Sequence, residues 1–289
     1  MLKFYLGASG AGKSTKLYQD IIERSIKETE RNFLIIVPDQ FTMQTQMDIV
    51  KMHPAHGIMN IDVLSFGRLA HRVFDEVGTD KIPVLDDTGK SLILRHVADL
   101  NKQNLPVIGG NMHRSGYIDE VKSTISELMQ YDIAPEEMDS LLACTTKKGA
   151  LHAKLKDIQL LYNEFIHYIK NKYVTSEETL GILCDKLIDS ELIKDSVIAF
   201  DGFTGFTPVQ YRVIDKLMRI ANEINISIDI DPTDHPYLPP QNEQELFQLS
   251  RKTIQDLEQI AYAAQQSDNA RQVPDYERWK EYRDTHNQD

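Results

Sequence analysis

Residues 2–15 read Leu2-Lys3-Phe4-Tyr5-Leu6-Gly7-Ala8-Ser9-Gly10-Ala11-Gly12-Lys13-Ser14-Thr15. A short apolar run of strand type leads into Gly-x-x-x-x-Gly-Lys-Ser, and the chain then reads as a helix from Lys13 to about Glu30 with Leu17, Ile21 and Ile22 on one face. Strand, glycine turn and helix in that order meet the requirements of a phosphate-binding loop. The glycines let consecutive N–H groups turn inward around an anion. The helix that follows aims its positive end at the same place. Lys13 would supply charge at the β- and γ-phosphates, and the Ser14 hydroxyl would take one position on Mg²⁺. Gly7, Ala8, Ser9, Gly10, Ala11, Gly12, Lys13, Ser14 and Thr15 are therefore the candidate nucleotide contacts, with ATP and Mg²⁺ as the expected ligands.

Outward from this loop, Phe33–Val37 forms a second strand stopped by Pro38, which cannot donate to a ladder. Ile61–Leu64 is a third, followed by Ser65 as N-cap of a helix Phe66–Val77 that Gly78 ends. Val197–Asp201 and Ile224–Ile230 add two more strands, with a helix from Thr207-Pro208 between them. Five strands with intervening helices predict an α/β fold with a mostly parallel sheet. The interval 83–194 differs: Ser91–Leu100, Ile118–Tyr131, Pro135–Ala143 and Leu151–Lys170 all read as helices. The last carries Leu151, Leu155, Ile158, Tyr162, Phe165 and Ile169 at spacings of three and four. The expected organisation is a sheet domain of residues 1–82 plus 195–240, a helical subdomain 83–194 inserted between strands, and a stretch 241–289. That stretch holds a helix from Gln244 to Ala264 and a polar tail with Trp279, and it reads as the start of a further domain.

Asp201 stands where a strand-end carboxylate would hold Mg²⁺ together with Ser14. The next residue is Gly202, and no Asp or Glu follows until Asp215. A group to orient the attacking water is thus missing from the place where it is expected, which predicts that ATP is held and hydrolysed poorly or not at all.

The chain of 289 residues is 41% hydrophobic and 26% charged, as in ordinary globular proteins rather than disordered ones. Its net charge of −12 repels phosphate, so contact with nucleic acid has to be local. No run approaches the ~20 apolar residues of a spanning helix, and the N-terminus lacks the order of regions that marks a signal peptide. The two cysteines, Cys144 and Cys184, form no disulfide framework and read as buried small hydrophobes. A reducing, cytoplasmic compartment is the expectation.

Several segments together resemble superfamily I helicases of the UvrD type, and more closely the AddB/RexB component of the AddAB (RexAB) helicase–nuclease. These are the phosphate loop, Leu34–Gln44 with Val37-Pro38-Asp39-Gln40-Phe41-Thr42, Val63–Phe74, Asp201-Gly202-Phe203-Thr204-Gly205-Phe206-Thr207-Pro208, and Glu245-Leu246-Phe247. The resemblance implies a RecA-like fold that has lost motor activity: active relatives read Asp-Glu-x-Gln-Asp where this chain has Asp201-Gly202-Phe203-Thr204-Gly205. By the same resemblance, Asp231–His235 corresponds to a remnant of motif III. It also implies a heterodimer with a large AddA/RexA-type motor subunit, acting on DNA at double-strand breaks. On the same resemblance, the nuclease domain and iron–sulfur cluster of that family are expected in a C-terminal part outside this chain.

By the same resemblance Gln40, Ser65, Phe66, Arg68 and Arg72 are candidate nucleic-acid contacts, with Gln44, Gln46 and His71 nearby. A polar helix start, ordinary surface charges and a core position for Phe66 are the other readings. His53-x-x-His56 has marginal ligand spacing interrupted by Pro54. Asp229, Asp231, Asp234 and His235 read as a solvated turn or a second metal site. Two other functions stay open: a small active P-loop ATPase or kinase unrelated to DNA, and an interaction scaffold with an empty loop.

Overall fold

The computed structural model describes residues 1–78, 83–170, 172–231, 236–238 and 244–267. Pro232–His235 of the expected motif III remnant and the polar tail with Trp279 lie outside the described residues. In chain order, the first elements are β1 (Leu2–Gly7), α1 (Lys13–Lys27), β2 (Phe33–Ile36), α2 (Thr42–Met52), β3 (Ile61–Leu64) and α3 (Phe66–Val77). Next come β4 (Val84–Leu85), α4 (Asp87–Leu100), α5 (Ser115–Gln130), α6 (Met138–Thr145), α7 (Gly149–Ile169), β5 (Val174–Thr175) and α8 (Ser176–Lys186). The chain then adds β6 (Val197–Phe200), α9 (Pro208–Ile220), β7 (Glu223–Asp229) and α10 (Gln248–Ser267).

Two compact units result. One comprises Met1–Val77, Leu183–Phe206 and the chain from Gln210 onward; the other comprises Gly78–Ile182 with Thr207–Val209. The division falls within α8, and α10 groups with the sheet.

The first unit is built on a five-stranded sheet of order β1-β7-β6-β2-β3, parallel throughout. β2 and β6 are continuous apolar runs, Phe-Leu-Ile-Ile and Val-Ile-Ala-Phe, and every residue of both is buried. Such runs suit central strands covered on both faces. Leu17, Tyr18, Ile21 and Ile22 of α1 and Ile49 of α2 close one face over Phe33, Ile35, Val37, Val63, Val197 and Ala199. Each aliphatic or Phe side chain so buried contributes about 1.5–3 kcal/mol. β7 departs from this pattern by strict alternation. Ile224, Ile226 and Ile228 occupy one face, and Glu223, Asn225, Ser227 and Asp229 the other.

All strands of a parallel sheet end on the same edge, where open α/β sheets place their ligands. β7 lies between β1 and β6, with Gly7 paired to Asp229 and Phe200 to Ile226. The sheet therefore carries Ser227 and Asp229 to the gap between the loop after Gly7 and the carboxylate of Asp201.

The second unit packs α4, α5 and α7 around Leu94, Val97, Ile118, Val121, Ile125, Ile158, Leu161 and Phe165. The stripe expected from Leu151 to Ile169 is buried from Ile158 onward, whereas Leu151 is exposed. α4 starts earlier than Ser91 because the Asp86 carboxylate accepts from the Gly89 N–H at 2.7 Å and caps it. Thr175 and Glu178 form a reciprocal capping box at the head of α8, at 2.9 and 3.2 Å. Lys90 and Glu177 make a buried ion pair at 2.8 Å. The cysteines part company: Cys184 is buried, and its thiol is pushed up by that burial, while Cys144 is exposed, contrary to the expectation.

Candidate nucleotide site

The loop after β1 folds by its glycines. Gly10 and Gly12 have φ of 79° and 84°, in the left-handed region that a β-carbon disfavours. The Ala11 N–H closes a turn on the Ala8 carbonyl at 3.0 Å. Ala8 to Gly12 are exposed, and α1 begins with no acidic residue in its first turn and no side-chain cap. Its leading N–H groups are thus left without the side-chain acceptor that most helices supply.

Four hydroxyl or carboxyl side chains from three elements converge beside this loop. Asp201, 5% exposed at the end of β6, accepts the Ser14 hydroxyl at 3.0 Å and the Tyr18 hydroxyl at 2.5 Å. The Ser227 hydroxyl of β7 also donates to Asp201. Burial, and then the charge of Asp201, raise the pKa of Tyr18, so this phenol stays protonated and acts as a donor. The Lys13 ammonium is paired with the Asp229 carboxylate.

Gly202 has φ of 77°, and a β-carbon built on it would lie 3.5 Å from the Phe41 ring and 3.6 Å from Pro38. A side chain at 202 would therefore start strained and emerge against an aromatic roof. The segment that follows is pinned by rings: Phe66, Phe200, Phe203 and Phe206 have centroids 5.1–6.5 Å apart, and Tyr211 adds a further edge contact on Phe206 at 5.6 Å. Asp215, the next carboxylate in sequence, forms an ion pair with Arg219 at 2.7 Å within α9.

The candidate nucleic-acid residues do not share one surface. Gln40, Arg68 and Arg72 are exposed, and Arg72 pairs with Asp62 at 3.7 Å. Ser65 and Phe66 are turned inward, 1% and 6% exposed. The Ser65 hydroxyl accepts the Arg68 N–H at 3.4 Å, as an N-cap of α3 does, and the Phe66 ring is consumed by the aromatic cluster. Neither presents a face to a base or a phosphate.

Two contributors escape a reading of the sequence by motif. Tyr18 looks like one more residue of the buried face of α1, and Ser227 sits in a run that reads simply as a strand. Asp229, read from the sequence as part of a solvated turn or a second metal site, is instead the partner of Lys13. The legible signal was β7 itself, since polar residues at every second position of a central strand need partners.

Fold and site together define an α/β protein with a parallel sheet and a phosphate-loop sequence at its carboxyl edge. The chain belongs to the AddB N-terminal family: the family model described as "ADDB, N-terminal" matches residues 4–286. It is 45% identical over 260 residues to the B-type subunit of the ATP-dependent helicase/deoxyribonuclease of Lachnoclostridium phytofermentans, covering 90% of this chain and 22% of that protein. The proteins of the same name from Alkaliphilus metalliredigens and Bacillus mycoides are 33% and 32% identical, each over 90% of this chain. The chain spans about a fifth of the length of these relatives, 22–23%.

Proposed function

We propose that this chain is the N-terminal, RecA-like module of an AddB/RexB-type subunit, with a helical subdomain inserted in its sheet domain, and that it holds Mg·ATP without hydrolysing it at a useful rate. The observation that carries this reading is the convergence of Ser14 and Asp201, 3.0 Å apart, beside a loop whose glycines adopt left-handed φ. The residues suit the ligand. The loop N–H groups and Lys13 would receive the β- and γ-phosphates, and the hydroxyl and carboxylate oxygens are the hard donors Mg²⁺ takes. Bound Mg²⁺ would neutralise phosphate charge. Gly202, roofed by Phe41 and Pro38, supports the absence of a water-orienting acid.

In the assembled enzyme the module would work in the cytoplasm with an AddA/RexA-type motor subunit on DNA ends, in double-strand-break repair and recombination. Nuclease chemistry and any iron–sulfur cluster would reside in the remainder of such a subunit. None of the described helices is long and apolar enough to cross a membrane.

Thermal unfolding with and without Mg·ATP tests the proposal. Ligand at about a hundred times Kd stabilises the native state by about 2.7 kcal/mol, and Lys13→Ala should remove most of that gain. Turnover should be negligible in both proteins. No stabilisation of the unmodified chain would overturn nucleotide binding. Steady turnover lost in Lys13→Ala would overturn the non-hydrolysing half in favour of a working ATPase.

A further inference from the structure

We infer that the outer edge of β1 receives a sixth parallel strand, supplied by the part of an AddB-type subunit that follows α10. β1 ends the sheet, and among the described residues it pairs with β7 alone. The Ile224 and Ile230 N–H groups donate to the Met1 and Gly7 carbonyls at 2.7 and 3.0 Å, so the odd-numbered residues of β1 turn their backbone groups toward β7. Leu2, Phe4 and Leu6 therefore aim three N–H and three C=O groups at the open edge. Natural edges are blunted by proline, bulges, charges or shortness. β1 has six residues, no proline and one charge, Lys3, whose ammonium is held by Glu223 at 3.1 Å. The side chains agree with the backbone. Leu2, Phe4 and Leu6 share a face with Ile224, Ile226 and Ile228, which are at most 4% exposed, yet they are themselves only half-buried. The apolar layer runs out to the edge and ends there uncovered.

Chain topology selects the occupant. Ala199 of β6 lies under α1 and α2, whereas the Phe200 ring, on the opposite face, meets Phe206, which meets Tyr211 of α9. α9 thus covers the face opposite α1. α10 lies beside it, with Thr253 hydrogen-bonded to the Tyr211 side chain. Crossovers between parallel strands are right-handed in about 98% of cases. α1 serves the step from β1 toward β2, and α9, on the other face, serves the reverse step from β6 to β7. α10 follows β7 on the α9 face, so a right-handed connection carries the next strand onward in that same direction. β1 already fills the adjacent place, and the next one is its open edge. Buried parallel strands are unbroken apolar runs, and residues 268–289 contain no run of apolar residues. The relatives supply further chain, since the match covers only 22% of the Lachnoclostridium phytofermentans protein. The inference rests on the reading of this chain as part of such a subunit.

The test is amide hydrogen exchange at single-residue resolution, in this chain and in a chimera where it replaces the matching part of the Lachnoclostridium phytofermentans subunit. Lys3 and Tyr5, bonded to β7, should be protected in both proteins. Phe4 and Leu6 should exchange freely in the chain, and at least ~100-fold more slowly in the chimera, as amides of a closed ladder do. Slow exchange of Phe4 and Leu6 in the dilute chain would overturn the inference, because the edge would already be covered. Protection that grows with the concentration of the chain would overturn it in favour of a second copy. Fast exchange of these two amides in a chimera that protects Lys3 and Tyr5 would overturn it as well. If the chimera misfolds, the corresponding positions of the Lachnoclostridium subunit itself are read, with the same expectations. Capture of the chimera by an AddA-type motor subunit reads the family role separately. Capture with Phe4 unprotected would overturn the strand alone, and protection without capture would support the strand while counting against the assembly.

Discussion

The hydroxyl of Tyr18 donates to Oδ2 of Asp201 at 2.5 Å, across the space between α1 and the end of β6. Oδ1 of the same carboxylate receives Ser14 and Ser227. The carboxylate is thus held from both sides, with the Ser14 oxygen fixed beside it. Tyr18→Phe keeps the ring and its packing and removes only the donor. Because hydrogen bonds to charged groups contribute about 1.5–3 kcal/mol, the variant should lose about that much stability in urea denaturation. Nucleotide affinity with Mg²⁺ should also weaken more than affinity in EDTA. Equal losses in the two would assign Tyr18 a purely structural role.

Asp229 holds Lys13, the one cation of the phosphate loop, through a carboxylate about half exposed. On the proposed reading, incoming phosphates would compete with that carboxylate and then lie near its charge. Asp229→Asn should tighten Mg·ATP binding. A pair of this exposure is worth about 0.2–1 kcal/mol, or about 1.4- to 5-fold in Kd. Calorimetric titration at low salt checks it, and weaker binding in the variant would instead make Asp229 part of the ligand site.

Gly202→Glu restores on paper the acid that active relatives carry, and it should fail. The left-handed φ of 77° costs a residue with a β-carbon about 1–2 kcal/mol, and the new side chain would start against Phe41. The expected result is a less stable protein with no gain in ATP turnover. A large gain would show that only this one side chain separates the chain from a working ATPase.

The five sheet strands could be read from the sequence because buried parallel strands are short unbroken apolar runs between helices, as Phe33–Ile36 and Val197–Phe200 show. α2 was legible only as a polar helix start around Gln44 and Gln46. Its sequence Thr-Met-Gln-Thr-Gln-Met-Asp-Ile-Val-Lys-Met buries only Thr42, Thr45 and Ile49, so the apolar periodicity is faint. The Gly-x-x-x-x-Gly-Lys-Ser turn announces itself through local sequence alone, since glycine requirements and a helix start are properties of adjacent residues. The partners of Asp201 come from positions far apart in sequence, and only the order β1-β7-β6 joins them. Phe66 could be read as a base-stacking residue because an aromatic at a strand end serves either purpose. Its neighbours Phe200, Phe203 and Phe206 decide for the core.

In the helical unit, Lys90 and Glu177 bury opposite charges, with side chains 4% and 7% exposed. Removing Glu177 leaves Lys90, among the described residues, only the exposed carboxylate of Asp87 at 3.9 Å, at a cost approaching the ~3–5 kcal/mol of a broken buried pair. Glu177→Gln should therefore destabilise the protein severely, while a joint Lys90→Met, Glu177→Leu replacement should recover much of the loss. A double-mutant cycle in urea measures the coupling, and additive losses would show that the pair is not a unit.

Acid should find its target at the far end of β7. Burial alone would raise the pKa of Glu223, but Lys3 at 3.1 Å and Arg24 at 2.8 Å outweigh it and hold the carboxyl below its ordinary value. With the folded pKa depressed, the stabilisation is complete above the unfolded value, about 4.3 for Glu, and is lost as pH falls through the folded one. The unmodified protein should lose stability through that acid window. Glu223→Gln should be less stable at neutral pH and show a flatter decline on acidification. The measurement is the urea midpoint across a pH series, and parallel curves for the two proteins would remove Glu223 from the acid response.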